Sequence, residues 1–160
     1  MNLVKPTRLR PGDTVAAISL SSGASGEFPQ VYEVARRVLR ERFGLRLTET
    51  PNALQSDAWL YAHPEARADD LHWALQNPEV KGMFSTIGGY ESVRVRPSID
   101  LDLIRAHPKV FLGYSDTTVT HLAFLEAGVG SFYGPSLMNG VVDVEGFPYT
   151  ETWLRGLLLN

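Results

Sequence analysis

Short apolar runs rich in β-branched residues alternate along this chain with stretches whose apolar residues recur every three or four positions. Thr14–Ser19 (TVAAIS) follows the turn-forming Arg10-Pro11-Gly12-Asp13 and predicts a first strand. A Ser/Gly-rich loop covers Leu20–Pro29. Val31, Val34, Ala35, Val38 and Leu39 then fall at helical spacing, with Gly44 where a helix C-cap belongs. Leu45–Thr50 predicts a second strand. After a loop through Pro51-Asn52, a second helix is expected from Pro64, because proline suits a first helical turn whose N–H has no intrahelical partner. That helix passes through Leu71 and Leu75 and stops before Asn77-Pro78. Val80–Thr86 reads as the third strand and Asp100–Ala106 as a short helix. Val110–Gly113 reads as the fourth strand, Thr117–Ala127 as a helix closed by Gly128, and Gly130–Tyr133 as a short fifth strand.

Strands that alternate with helices predict an α/β fold, a parallel sheet flanked by helices. Ligands of such sheets bind beyond the C-terminal ends of the strands. The loops after Ser19, Thr86 and Gly113 therefore matter, and all are rich in serine and glycine.

Composition narrows the function classes. With 160 residues, 44% hydrophobic and 21% charged, the chain suits one ordinary globular domain. Its net charge of -3 is spread without long runs, so neither a nucleic-acid-binding face nor a basic amphipathic membrane helix can be read. Cysteine is absent, which removes disulfides and thiolate metal sites. The polar Met1–Arg10 segment lacks a signal-peptide core, and no run approaches the ~18 apolar residues of a membrane span. The expected compartment is the cytoplasm.

The sharpest motif is Phe111-Leu112-Gly113-Tyr114-Ser115-Asp116-Thr117-Thr118, an apolar strand running into a serine and then a helix. This is the context of a nucleophile elbow, where a tight turn holds the serine Oγ clear of the sheet. The start of the following helix presents unpaired N–H groups and positive potential. An oxyanion formed by attack of Ser115 would accept from the Asp116 N–H, a donor worth about 3–4 kcal/mol in a transition state. Thr117 breaks the Gly-x-Ser-x-Gly pattern, and the residues alone leave open a plain helix N-cap at Ser115 or Asp116. Ser85-Thr86-Ile87-Gly88-Gly89-Tyr90-Glu91-Ser92 reads either as a second oxyanion donor with a pocket wall or as an ordinary turn. Leu20–Gly26 reads as a loop able to cradle an anion, and it matches neither Gly-x-Gly-x-x-Gly nor the phosphate-loop pattern ending in Gly-Lys-Ser/Thr.

A serine nucleophile needs a base, usually a histidine oriented by a carboxylate. His63, His72, His107 and His121 are the candidates, and none is placed for that role. Asp116 has no histidine between it and Ser115, and the histidines form no metal-ligand cluster.

With these residues laid out, the chain resembles the LD-carboxypeptidase family of serine peptidases, which includes the microcin C immunity peptidases. The matching stretches are Arg8–Asp13 (RLRPGD), Phe43-Gly44-Leu45, His63–Leu71 (HPEARADDL) and Gly88–Ser92 (GGYES). They continue through Ile99-Asp100, Pro108-Lys109, Gly113–Thr117 (GYSDT) and Phe132–Pro135 (FYGP). The resemblance implies a Rossmann-like N-terminal domain, of the class I glutamine amidotransferase-like kind, over residues 1–160. It implies a C-terminal domain outside this sequence that supplies a glutamate and a histidine. Ser115 matches the nucleophile, the N–H groups of Gly89 and Asp116 match the oxyanion hole, and Tyr90, Glu91 and Ser92 fall in the substrate-lining segment. The implied substrate is a small peptide or peptidyl nucleotide: a murein L,D-tetrapeptide in one branch, an aminoacyl or peptidyl adenylate-like antibiotic in another. Ile87 and Glu91 replace an Arg and a Gly common in the murein branch, which leans toward the immunity branch. No metal or organic cofactor is implied, and a homodimer is. The competing reading is a non-catalytic α/β module that binds a small anion or serves assembly.

Overall fold

Every strand residue of β1 beyond its first is buried, and alternate residues enter different cores. Val15 and Ala17 join one apolar cluster while Ala16 and Ile18 join another. A strand buried on both faces reads as a continuous apolar run, which is why TVAAIS carries so clear a signal. The computed structural model describes residues 2–159. The strands are β1 (Thr14–Ile18), β2 (Arg46–Glu49), β3 (Val80–Ser85), β4 (Val110–Gly113) and β5 (Phe132–Tyr133). They form one parallel sheet in the order β2-β1-β3-β4-β5.

The helices are α1 (Ala24–Glu27), α2 (Pro29–Phe43), α3 (Asp57–Ala62), α4 (Pro64–Gln76), α5 (Leu101–Ala106), α6 (Thr118–Glu126) and α7 (Pro148–Leu158). Leu39 and Phe43 of α2 pack with Leu154 and Leu158 of α7 on one face of the sheet. Leu71 and Leu75 of α4, Ile104 of α5 and Phe124 of α6 pack on the other. The result is the expected α/β sandwich with helices on both faces. Among the described residues, no helix is long and apolar enough to cross a membrane.

Two segments expected as loop are helical. Within Leu20–Pro29 the chain makes α1, and its buried Ser25 donates to Ala53 O at 2.6 Å. Before Pro64 it makes α3, whose N-cap Ser56 accepts from the Trp59 N–H. Both helices are short and bury little, so neither leaves an apolar period to read. At β4 the strand leads into a single 3-10 turn, Ser115–Thr117, before α6 begins.

The sheet order positions the site. From β1 the chain moves outward to β2, then crosses to the other side of β1 to lay down β3. The loops leaving β1 and β3 therefore diverge and open a crevice at the C-terminal edge of the sheet.

Candidate active site

Ser115 lies on that edge, exposed, with φ of 61°. It is the one non-glycine residue at positive φ among those described. A left-handed backbone crowds the Cβ of an L-residue against the following carbonyl at about 1–2 kcal/mol. Such strain persists only where the surroundings over-determine it. Here Thr118 Oγ1 donates to Ser115 O at 2.5 Å and Thr117 Oγ1 donates to Tyr114 O at 2.8 Å. The Ser115 N–H donates to Tyr133 Oη at 3.2 Å. The strand, the strained serine and the helix together have the shape of a nucleophile elbow.

The glycine pair after β3 packs against this turn. A Cβ on Gly88 would stand 3.1 Å from Ser115 Oγ, and one on Gly89 would stand 2.5 Å from Ser21 Oγ. Gly89 also has φ of 155°, so only glycine brings its backbone this close without strain. Among the described residues, neither the Gly89 N–H nor the Asp116 N–H is taken by another protein atom. Of the two, Gly89 lines the cavity described below, while Asp116 stands next to its lining residue Ser115.

The Asp116 side chain has a different task. Its carboxylate accepts from the Ser21 hydroxyl and from the Ser92 N–H at 2.9 Å. Ser92 Oγ in turn donates to Asp116 O. One residue thereby joins the loops that leave β1, β3 and β4. Ser92 is buried and turned toward Asp116, so it stands behind the pocket wall that Tyr90 and Glu91 form. Beneath the first loop lies Arg67, a wholly buried side chain whose Nη1 donates to Leu20 O and Ser21 O at 3.2 Å each. Its Nε and Nη2 have no protein partner. Burial pulls its pKa below the usual guanidinium range, and nearby Arg94 adds to that, against the pull of Glu91, Asp116 and Asp57.

A cavity of about 540 Å³ opens above these loops. Ser21, Ser22, Gly88, Gly89, Tyr90, Glu91, Tyr114 and Ser115 line it, as do Asp57 and Tyr61 of α3, and Asn139. Tyr90 stands on the rim, 92% exposed. The α3 contribution had no signal in the sequence beyond the Ser56 cap. Asn139 comes in because the backbone N–H groups of Leu137 and Met138 donate to Ser85 O and Thr86 O, which docks that segment on the end of β3.

None of the described histidines lines the cavity. His121 is buried, and its Nε2 lies 2.9 Å from Gly113 O while its Nδ1 lies 2.8 Å from Ser131 Oγ. A carbonyl only accepts, so Nε2 carries the proton and Nδ1 accepts from the serine. Burial holds its pKa below the ordinary imidazole value, against the opposing pull of the Gly113 carbonyl. His63 stacks on Trp59, His72 Nε2 accepts from the Asp100 N–H, and His107 ends α5. Among the described residues no group of three or more His, Asp and Glu is gathered to hold a metal ion.

Comparison with known proteins bears on the chain as a whole. Residues 15–134 match the family described as LD-carboxypeptidase N-terminal domain. A probable murein peptide carboxypeptidase of Bacillus subtilis is 35% identical over 96% of this chain and 47% of its own length. An MccF-like protein from Bacillus anthracis superposes with a TM-score of 0.88 at 32% identity, covering 98% of this chain and 48% of that one. An MccF-like protein from Streptococcus pneumoniae, solved in complex with AMP, superposes with a TM-score of 0.76 at 32% identity, covering 82% of this chain and 39% of that one. The chain spans about half the length of the curated relatives it matches.

Proposed function

Because the chain belongs to the LD-carboxypeptidase family, we propose that Ser115 is the nucleophile of a serine peptidase. In this reading the enzyme hydrolyses an amide near the C-terminus of a small peptide substrate. The observation that carries it is the left-handed φ of Ser115 at the sheet edge, strain kept at an exposed serine with an open cavity above it. Ser115 Oγ attacks the scissile carbonyl, and the developing oxyanion accepts from the Gly89 and Asp116 N–H groups. An acyl-enzyme forms, the amine leaves, and water releases the acid.

The base that takes the Ser115 proton is proposed to be a histidine oriented by a glutamate, both from the part of the protein that this chain does not include. Two facts support this: no described histidine is free near Ser115, and the relatives are about twice as long. Tyr149, Trp153 and Leu157 stand exposed along α7 and support further protein packing there.

For the substrate, Glu91 and Ile87 favour an aminoacyl or peptidyl adenylate-like molecule over a murein L,D-tetrapeptide. The AMP complex of the Streptococcus pneumoniae relative supports the same choice. Tyr61, Tyr90 and Tyr114 give the cavity aromatic surface on which a base would stack. The second reading, a non-catalytic ligand-binding module, draws on the lack of a base beside Ser115 among the described residues.

A serine-directed fluorophosphonate applied to the full-length protein separates them. An adduct on Ser115, lost in Ser115→Ala with the fold intact, supports the peptidase. An unlabelled Ser115 in folded protein refutes it. Turnover of a murein tetrapeptide but not of an aminoacyl sulfamoyl adenosine would reverse the substrate assignment.

A further inference from the structure

Tyr133 stands outside the cavity wall, yet it touches the backbone of Ser115. It is the last residue of β5 and pairs in register with Gly113, the last residue of β4. From that position its Oη accepts the Ser115 N–H at 3.2 Å.

The support beneath the tyrosine is fixed although the ring is exposed. Its centroid lies 5.4 Å from the His121 ring and 6.5 Å from Tyr114, which meets it edge-on. His121 cannot turn away, because both of its ring nitrogens are hydrogen-bonded, one to Gly113 and one to Ser131. Gly113 and Ser131 belong to the two chain segments that the tyrosine joins. The phenol is thus held by the same elements whose geometry it governs.

The group it bonds is the N–H of the one described non-glycine residue with a left-handed backbone. Rotation about φ of Ser115 swings that N–H relative to the Oγ. A fixed acceptor on the N–H therefore resists relaxation toward negative φ, which would turn the Oγ away from the Gly88-Gly89 loop.

We propose that Tyr133 is a positioning residue for Ser115, its hydroxyl holding the Ser115 N–H and with it the turn that presents the Oγ. This rests on the reading of Ser115 as the nucleophile. The contact marks the tyrosine as well. The Thr118 hydroxyl and the Ser115 N–H both draw the phenol pKa below its ordinary value.

The test is Tyr133→Phe in the full-length protein, which keeps the ring and its packing and deletes one oxygen. Three quantities are compared with wild type: the rate of Ser115 phosphonylation, the backbone amide shift of Ser115 by NMR, and the Tm. The expected result is a roughly three- to tenfold slower phosphonylation, the rate equivalent of one modest hydrogen bond. The Ser115 amide moves and the Tm changes by less than about 2 °C. With a peptide substrate, kcat falls by the same factor and KM holds. Labelling at the wild-type rate overturns the proposal, and so does an unmoved Ser115 amide. A slower rate accompanied by a Tm loss above about 5 °C also overturns it, since general damage then explains the rate. If wild-type Ser115 takes no adduct at all, the nucleophile reading has failed, and the amide shift still reports on the Tyr133 bond by itself.

Discussion

Replacing Ser115 with alanine removes a hydroxyl, whereas replacing it with glycine removes the hydroxyl and the backbone strain together. The difference between the two variants reports the strain less glycine's entropic cost. Ser115 is exposed and its Oγ takes part in no hydrogen bond among the described residues, so losing the hydroxyl leaves stability within about 0.5 kcal/mol. Alanine keeps the Cβ that a φ of 61° crowds, a penalty of about 1–2 kcal/mol. Glycine escapes that penalty but gives up about 0.5–1 kcal/mol through the greater freedom of its unfolded chain. The net expectation is that Ser115→Gly exceeds Ser115→Ala in stability by about 0.75 kcal/mol, the middle of a span from about 0 to 1.5 kcal/mol. In a protein of this size that corresponds to a Tm higher by roughly 1–4 °C. Scanning calorimetry of both variants at one pH and concentration reads it directly. A Ser115→Ala protein more stable than Ser115→Gly by about 0.5–1 kcal/mol would mean that the turn holds no strain, and the elbow reading would lose its main support.

Further expectations follow from other parts of the structure. Burial lowers the His121 pKa below its ordinary 6.5, so between the folded value and 6.5 the unfolded chain binds more protons than the native one. His121 thus makes stability fall as pH drops through that window, and His121→Gln should flatten this part of a urea-denaturation series against pH. Asp116→Ala strands the Ser21 hydroxyl and the Ser92 N–H and should cost about 2–3 kcal/mol in chemical denaturation while slowing phosphonylation of Ser115. Asp116→Glu is expected not to restore either, because the longer side chain overshoots both donors. Asp70 is buried and accepts from Thr50 Oγ1 at 2.7 Å and from Asn52 Nδ2 at 2.9 Å. Asp70→Ala should therefore destabilise by about 2–4 kcal/mol, and a loss under 0.5 kcal/mol would show that water replaces the carboxylate freely.

The central strands were legible because a parallel sheet buries both of their faces, so VFLG or TVAAI needs no alternation to stand out. The long helices were legible for a related reason: Val34, Val38 and Leu39 repeat on the face that α2 turns to the sheet. α3 was hidden, since only Leu60 of its residues is buried and a single apolar position has no period. The loops at the strand ends could be marked as the place to look, but their connections could not. That Ser92 turns inward to Asp116 while its neighbour Glu91 faces the cavity depends on a residue from a different strand end. The φ of Ser115 was equally invisible, because Thr117 interrupts the elbow pattern and the strain is stabilised by Tyr133 from a strand further along the chain. Arg67 sits among alanines and a leucine on a helix, and only the packed structure reveals that it is buried whole.

The Asp116 junction bears on how this pocket can change over generations. Ser21, Ser92 and Asp116 arise from separate strand ends but share one set of hydrogen bonds, so the effect of altering any one depends on the state of the other two. Substitutions there are expected to be epistatic, and single steps away from the present trio meet a barrier that a concerted change would avoid. Tyr90 on the rim has no such entanglement. Changes in what the pocket accepts are therefore expected most readily along the rim, while the trio beneath stays as it is.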